Sequence, residues 1–437
     1  MKVLLLAYYY PPMGGAGVQR ALKFSKYLGE CGVQLSVLAG LDPAYTADES
    51  LVAEIPPQVD VQRVAHTALL QRLVAWRAQR AAAAPAATRP AVASAPRRSA
   101  WRDAALAAYA SLQFPDDKAG WARRAHATAR RLVHEHGIAL ILSSAPPMSS
   151  HGLAARLSRE CGVPWVADWR DLWTDNPAYA APAWRRHVDR RLERRWLGSA
   201  AGVVTVTPTL QRVLAAKVAG RCEVALIPNG YDEADFAAVA PAAREPGVLR
   251  VVHAGTLYGH QSPQPLLLAV AALLAQQPAL AGRLRLRFVG LVGARFEGLL
   301  AEFAARHPGV LERTGFVEHG RAVAEMLAAD LLLLIIGGGA AARGVLSGKI
   351  FEYLRAQRPV LLIGPADGDA AQLLRAHAPC RIAEEHDVAG IAAALADALA
   401  GVLPPAPPHA APETFERRAL TQQLAVFLQR CAERSHV

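Results

Sequence analysis

Apolar runs of strand length recur along this chain with helical patterns between them, and they do so in two series. Val3-Leu4-Leu5-Leu6-Ala7 opens the first as an unbroken apolar run, the mark of a strand buried on both faces. A loop from Tyr8 to Gly17, a helix over 18–29 and a strand over 34–38 follow. Further strand signals lie at 59–64, 140–142, 165–167 and 203–206, with helical patterns such as 121–136 and 151–161 between them. The second series begins near Leu249, with strands at 249–253, 284–289, 331–336, 360–363 and 380–383. Such alternation predicts an α/β fold built on parallel, doubly wound sheets. A chain of 437 residues exceeds one compact core, so two domains are expected. Pro228 and Asn229-Gly230 mark a turn between the series. The reading is an N-terminal domain over 1–235, a second over 246–412, and a terminal segment over 413–437. That segment carries a helical pattern (415–431) which packs back across the first domain.

Lysine and arginine exceed aspartate and glutamate by 48 to 37, a net charge of +11. The excess favours anionic partners such as phosphorylated substrates or acidic lipid headgroups. No arginine-aromatic module of a nucleic-acid reader is present, so nucleic acid ranks last. Five widely separated cysteines without a CxxC pair support neither a zinc site nor a disulfide framework, which fits a reducing cytoplasm. The N-terminus reads as a strand rather than a signal peptide, and no apolar run reaches ~18 residues. Residues 71–100 break the pattern. They are rich in Ala, Arg and Pro, flanked by Trp76 and Trp101, and read as an insertion. Either it is a poorly ordered linker or it is a basic patch resting on anionic membrane.

Chemistry concentrates in a few stretches. Ser347-Gly348-Lys349-Ile350-Phe351-Glu352 opens a short helix that runs, through Pro359, into an apolar strand. A helix start offers unpaired N–H groups and a positive dipole end to phosphate. Lys349 adds a full charge and Glu352 an acceptor for sugar hydroxyls, together a nucleotide-sugar donor site. Arg343, Lys349 and the backbone at Ser347 and Gly348 form the expected diphosphate clamp, stabilising charge on a departing leaving group without a metal. The competing reading of Lys349 and Glu352 is an i,i+3 salt pair. Gly337-Gly338-Gly339 leaves room for a donor sugar. Gly14, Gly15 and Gly17 follow the first strand and open a helix, where backbone can approach a ligand closely. Their spacing is not GxGxxG. Arg20 reads equally as a ligand contact or a solvated arginine. Asp168, Arg170 and Asp171 follow a strand, where α/β sheets gather ligands. They read as acceptor-side catalytic groups or as an ion-pair cluster. His151, at a helix start, reads as a proton-transfer group or a core-edge histidine. No metal-ligand cluster and no cofactor are expected.

These motifs follow one another in a particular order. It runs Pro11-Pro12-Met13-Gly14-Gly15-Ala16-Gly17-Val18, Ile227-Pro228-Asn229-Gly230-Tyr231-Asp232, Val252-His253-Ala254-Gly255-Thr256-Leu257, Thr314-Gly315-Phe316-Val317, Ala328-Ala329-Asp330-Leu331, then the 349–359 block. In that order the chain resembles the family 4 glycosyltransferases, retaining enzymes with the GT-B fold of two Rossmann-like domains facing a central cleft. Ala145-Pro146-Pro147, Phe114-Pro115-Asp116 and the 163–173 stretch are similar to a bacterial branch that assembles cell-surface polysaccharide and lipid-linked sugars. The resemblance implies transfer of a hexose-type sugar, with retention, from a UDP- or GDP-linked donor to a lipid-linked or polysaccharide acceptor. It implies Gly255 and Thr256 as donor-binding residues, and a cytoplasmic protein that can rest on the inner face of the membrane. Two features depart from the family. Gly344 stands where the first of two paired glutamates is usual, and Thr256, Leu257, Tyr258 and His260 stand where an Arg and a Lys neutralise the diphosphate. The alternatives are a nucleotide-sugar epimerase or hydrolase of the same fold, or an inactive GT-B partner.

Overall fold

The structure is a computed structural model that describes residues 1–43, 45, 47–66, 113–176, 179–237, 239–259, 261–402, 404–407 and 412–434. The 71–100 insertion, with Trp76 and Trp101, and His260 lie outside the described residues. Two compact units emerge, each with its own sheet. The first comprises residues 1–205, 211–227 and 421–437, and the second 206–210 and 228–420.

In the first unit the chain runs β1 (Lys2–Ala7), α1 (Ala16–Leu28), β2 (Gln34–Leu41), β3 (Asp60–Ala65), α2 (Ala119–His136), β4 (Leu140–Ala145), α3 (Ser149–Cys161), β5 (Trp165–Trp169), α4 (Ala183–Leu197), β6 (Gly202–Thr205), α5 (Pro208–Val218) and β7 (Glu223–Leu226). The sheet order is β3-β2-β1-β4-β5-β6-β7, all parallel. Strand order reverses between β1 and β4, a switch point where the loops after both strands diverge. The middle strands are apolar on both faces because helices cover both. Leu4, Leu6, Trp165 and Trp169 are fully buried, with Trp121 of α2 packed against them.

The second unit runs β8 (Leu249–Ala254), α6 (Gln264–Gln276), β9 (Leu284–Val289), α7 (Ala294–Arg306), β10 (Leu311–Gly315), α8 (His319–Leu327), β11 (Leu331–Ile335), α9 (Lys349–Ala356), β12 (Val360–Ile363), α10 (Asp369–His377), β13 (Cys380–Ala383) and α11 (Val388–Leu399). Its parallel order is β10-β9-β8-β11-β12-β13, so the switch point lies between β8 and β11. One face of the sheet buries Leu333, Phe288 and Leu361. The other buries Val252, Leu332, Leu334, Phe351 and Tyr353. The last helix, α12 (Arg417–Arg434), gives residues from 421 onward to the first unit, as expected from the helical pattern over 415–431.

The interior strands match the sequence reading to within a few residues. Two strands escaped it. β7 and β10 are each an edge strand of their own sheet and mix charged with apolar residues, Glu223-Val224-Ala225-Leu226 and Leu311-Glu312-Arg313-Thr314-Gly315. Edge strands need only one apolar face, so they lack the continuous run that betrays a central strand. No described helix is long and apolar enough to cross a membrane.

Candidate functional site

In the second unit the ladder between β8 and β11 ends early. β8 pairs β9 through Ala254, yet its partnership with β11 stops at Val252↔Leu332. Past that point the strands part, and side chains fill the gap. The Leu333 carbonyl, freed from the ladder, accepts from His253 Nδ1 at 3.1 Å and from Tyr353 Oη at 3.1 Å. Tyr353 Oη in turn accepts from the Ala254 N–H at 3.0 Å. Carbonyls only accept, so His253 carries its proton on Nδ1 and presents a bare Nε2.

Lys349 reaches into this opening from the start of α9. Its Nζ lies 3.2 Å from His253 Nε2 and 3.3 Å from the Thr256 carbonyl. To get there it crosses directly over Gly255, where φ is +117° and a Cβ would overlap the lysine Cε. Gly290, at the end of β9 with φ +124°, permits the same closeness one strand over. A Cβ there would stand 2.8 Å from the Gly255 carbonyl carbon. Only glycine meets both demands, left-handed backbone and no side chain. Burial pushes the Lys349 ammonium down to about 8, against the pull of Glu352. Burial, then the adjoining lysine, holds His253 well below its ordinary value, so the ring is neutral.

Lys349 and Glu352 share a helix turn, but the ammonium turns to His253 and Thr256 instead of forming the i,i+3 salt pair. The Glu352 carboxylate makes no hydrogen bond to any described residue, and the His319 ring lies 3.8 Å away. Burial raises its pKa, with His319 opposing. Ser347 and Gly348 supply the turn before the ladder of α9, whose first bonds run from Ile350 and Phe351 back to their carbonyls. Arg343 corrects the clamp as first read: its guanidinium faces Asp367 at 2.8 Å on the surface, so it does not join Lys349. Room at Gly338 is taken on one side by the Glu385 carboxylate.

The first unit builds a second polar cluster at its own switch point. Gly15 caps α1 with φ +100° and no side-chain cap, and Gly14 and Gly17 flank it at the surface. Arg170 fixes this loop by donating to the carbonyls of Gly17 at 2.7 Å, Pro146 at 2.9 Å and Ala145 at 3.2 Å. It is a scaffold cation, because its donors are aimed at main chain. Asp168 is 2 % exposed and bound by Arg20, itself 1 % exposed, through bonds of 2.8 to 3.0 Å, while Ser144 donates at 2.8 Å. Burial is the largest single influence and would raise the Asp168 pKa, but the Arg20 charge and hydrogen bonds, with Arg170 and Ser144, together hold the carboxyl below its usual range.

The structure sides with the ion-pair reading of Asp168 and the core-histidine reading of His151 against the catalytic ones, and it corrects the reading of Arg20. Arg20 is neither solvated nor presented to a ligand, and Asp168 is committed to it. His151 is wholly buried, stacked on Trp169 at 4.5 Å, with Nδ1 2.7 Å from Ser143 Oγ. Burial drives its pKa down to about 3, so it is a core histidine that no substrate touches. Asp171 alone of the four is exposed, its carboxyl raised by surrounding protein.

Reading the sequence missed His253, Tyr353 and Gly290 as site residues. The signal for Gly290 was present: Phe288-Val289-Gly290 repeats, one strand later, the apolar-run-then-glycine pattern of His253-Ala254-Gly255. His253 carried none, since a histidine inside an apolar strand has no spacing rule.

Comparison with known proteins matches residues 90–235, about a third of the chain, to the family model described as Glycosyltransferase Family 4. No curated protein matches the sequence at a significant level. Among solved structures, sucrose-phosphate synthase from Thermosynechococcus elongatus is similar with a TM-score of 0.59 at 14% identity, covering 100% of this chain and 97% of that one. HepE from Anabaena, in complex with UDP, is similar with a TM-score of 0.59 at 15% identity, covering 98% of this chain and 100% of that one. The E. coli trehalose-6-phosphate protein bound with UDP-2-fluoro glucose has a TM-score of 0.59 at 13% identity, covering 99% and 97%. At such identities the likeness is one of fold. Residues 90–235 are thus similar to the Glycosyltransferase Family 4 model, and they lie in a chain with the GT-B fold of two Rossmann-like domains.

Proposed function

We propose that the chain transfers a sugar, with retention, from a nucleotide-sugar donor to a lipid-linked or polysaccharide acceptor of the bacterial cell envelope. The observation that carries this reading is the opening between β8 and β11. There a part-buried ammonium, paired with no carboxylate among the described residues, sits at a helix start, and one turn on lies a carboxylate with no hydrogen bond to a described residue. The first suits a diphosphate, the second ribose hydroxyls. UDP in HepE and UDP-2-fluoro glucose in the E. coli protein support a uridine nucleotide. During transfer the bond from the anomeric carbon to the diphosphate oxygen breaks and negative charge collects on the leaving group. Lys349 and the N–H groups at Gly348 and Lys349 would stabilise that charge, where a preorganised donor is worth most. The acceptor oxygen attacks from the same face, and its proton passes to the departing phosphate.

Acceptor binding falls to the first unit in this reading, near Asp171 and the glycine loop. An anionic membrane would be the place where a lipid-linked acceptor is met, and the basic outer face of α4 supports that partner. The test is a thermal-shift screen with UDP, GDP and their sugars. A specific ligand at a hundred times its Kd stabilises by about 2.7 kcal/mol. One donor class should shift the wild type, and Lys349→Ala should abolish that shift; an unchanged shift sinks the donor site. Turnover then sorts the alternatives. Free sugar released without acceptor points to an epimerase or hydrolase, and binding without turnover across an acceptor panel points to an inactive partner.

A further inference from the structure

We propose that His253 is the positioning residue of the donor site: its neutral ring, fixed by Leu333, holds the Lys349 ammonium over Gly255 where a nucleoside diphosphate is gripped. The inference rests on the donor-site reading above and adds a second residue to it.

The argument is one of geometry. A lysine side chain has four rotatable bonds, and aiming it costs conformational freedom unless something fixes its end. Three features do so here. Gly255 clears a track for the aliphatic stem, and Gly290 lets the end of β9 pack closely against the Gly255 backbone. The Thr256 carbonyl accepts one ammonium hydrogen, and His253 Nε2 accepts another. The third hydrogen is left for a ligand. The ring can play this part in one tautomer only, and Leu333 selects it by accepting from Nδ1. The Leu333 carbonyl is available because β8 and β11 have already separated at Val252↔Leu332. His253 is 1 % exposed, so it cannot itself reach a ligand and acts through the lysine. The groups that bear on this ammonium are His253 of β8 and Glu352 of its own helix. Behind Glu352 stand Asp235, Arg417 and His319 of α8, which act on that carboxylate.

A packing histidine and a positioning histidine predict different things. An acceptor at Nε2 favours the charged lysine, so removing it lowers the pH at which the ammonium is lost. The experiment is isothermal titration of the full chain with UDP or GDP, whichever binds the wild type more tightly, from pH 7 to 9.5, beside the matching nucleoside. Wild-type diphosphate affinity should be flat up to about pH 8 and fall by up to tenfold per pH unit above it. His253→Phe should weaken the diphosphate at least fivefold at pH 7.5, move the break below 8, and leave nucleoside affinity unchanged. His253→Gln, which restores an acceptor, should recover most of the loss. His253→Leu serves if the phenylalanine variant does not fold. Wild-type affinity and break in His253→Phe overturn the inference, and so does an equal loss of diphosphate and nucleoside, which marks packing. Lys349→Ala separates the two levels. If it binds as wild type, or if neither nucleotide binds at all, the donor site itself is wrong. If it binds poorly while His253→Phe binds normally, only the role of His253 falls.

Discussion

At the scale of single residues, burial decides between chemistry and architecture. Asp168 occupies the strand end where a catalytic acid would be sought, yet Arg20 and Ser144 use both its oxygens. A buried ion pair adds little net stability over an apolar pair, but breaking it by removing one partner leaves an uncompensated charge. Asp168→Ala should therefore cost about 3–5 kcal/mol in urea unfolding by stranding Arg20, with Asp168→Asn costing less. The pH dependence follows from the sign. A carboxyl held below its usual value stabilises the fold fully above about pH 4 and loses that contribution as pH falls through the folded pKa. Wild type should thus lose more stability than Asp168→Asn on acidification from pH 5 to 3. If Asp168→Ala keeps full stability while losing turnover, the residue belongs to the chemistry after all.

At the scale of elements, α12 is joined to the first unit by a glycine. Gly202 opens β6, and a Cβ there would lie 2.6 Å from Cys431 Sγ and 2.7 Å from the Phe427 ring. Leu424, Phe427, Leu428 and Cys431 are all buried in consequence, and Arg430 adds an ion pair to Glu223 at 2.7 Å. Gly202→Val should push the helix outward at a cost of about 1–3 kcal/mol. Burial holds the Cys431 thiol up at about 11, so it should resist a thiol reagent in the wild type and react in the variant. Unaltered labelling would mean that the helix is not seated through this contact. The sequence made α12 visible as a pattern but not its seat, because a glycine at a strand start looks like any turn residue. Interior strands such as Leu331–Ile335 were legible from their unbroken apolar runs, whereas β7 and β10 were not. The same divide runs through the sites. Lys349 and Glu352 were legible because one helix turn carries both. Arg20–Asp168 and His253–Lys349 were not, since the partners stand 148 and 96 residues apart and only the folded sheets bring them together.

At the scale of the whole molecule, a net charge of +11 matters by where it is displayed. α4 shows how the fold concentrates it. The two acids of this helix, Asp189 and Glu193, face inward and are buried, Asp189 against Arg185 and Glu193 against Lys217 and Thr174. Arg186, Arg190, Arg191, Arg194 and Arg195 face outward, and none of the five pairs with an acid among the described residues. Trp184, 51 % exposed, and Val188 stand on the same surface. A helix of balanced charge would have interleaved its acids among these arginines as salt pairs. Here folding segregates them, leaving a cationic face with an exposed indole, the combination that suits an anionic interface. Near such a surface each arginine contributes about 1 kcal/mol. The chain should therefore sediment with phosphatidylglycerol-containing vesicles at low salt and be released at high salt, and it should ignore purely zwitterionic ones. Replacing Arg190, Arg191 and Arg194 by glutamine removes three such contributions and should weaken binding roughly a hundredfold. Because these arginines pair with no acid among the described residues, the melting temperature should hold. Vesicle binding that survives the triple variant would move the docking face elsewhere, and indifference to anionic vesicles would remove the membrane from the proposed function.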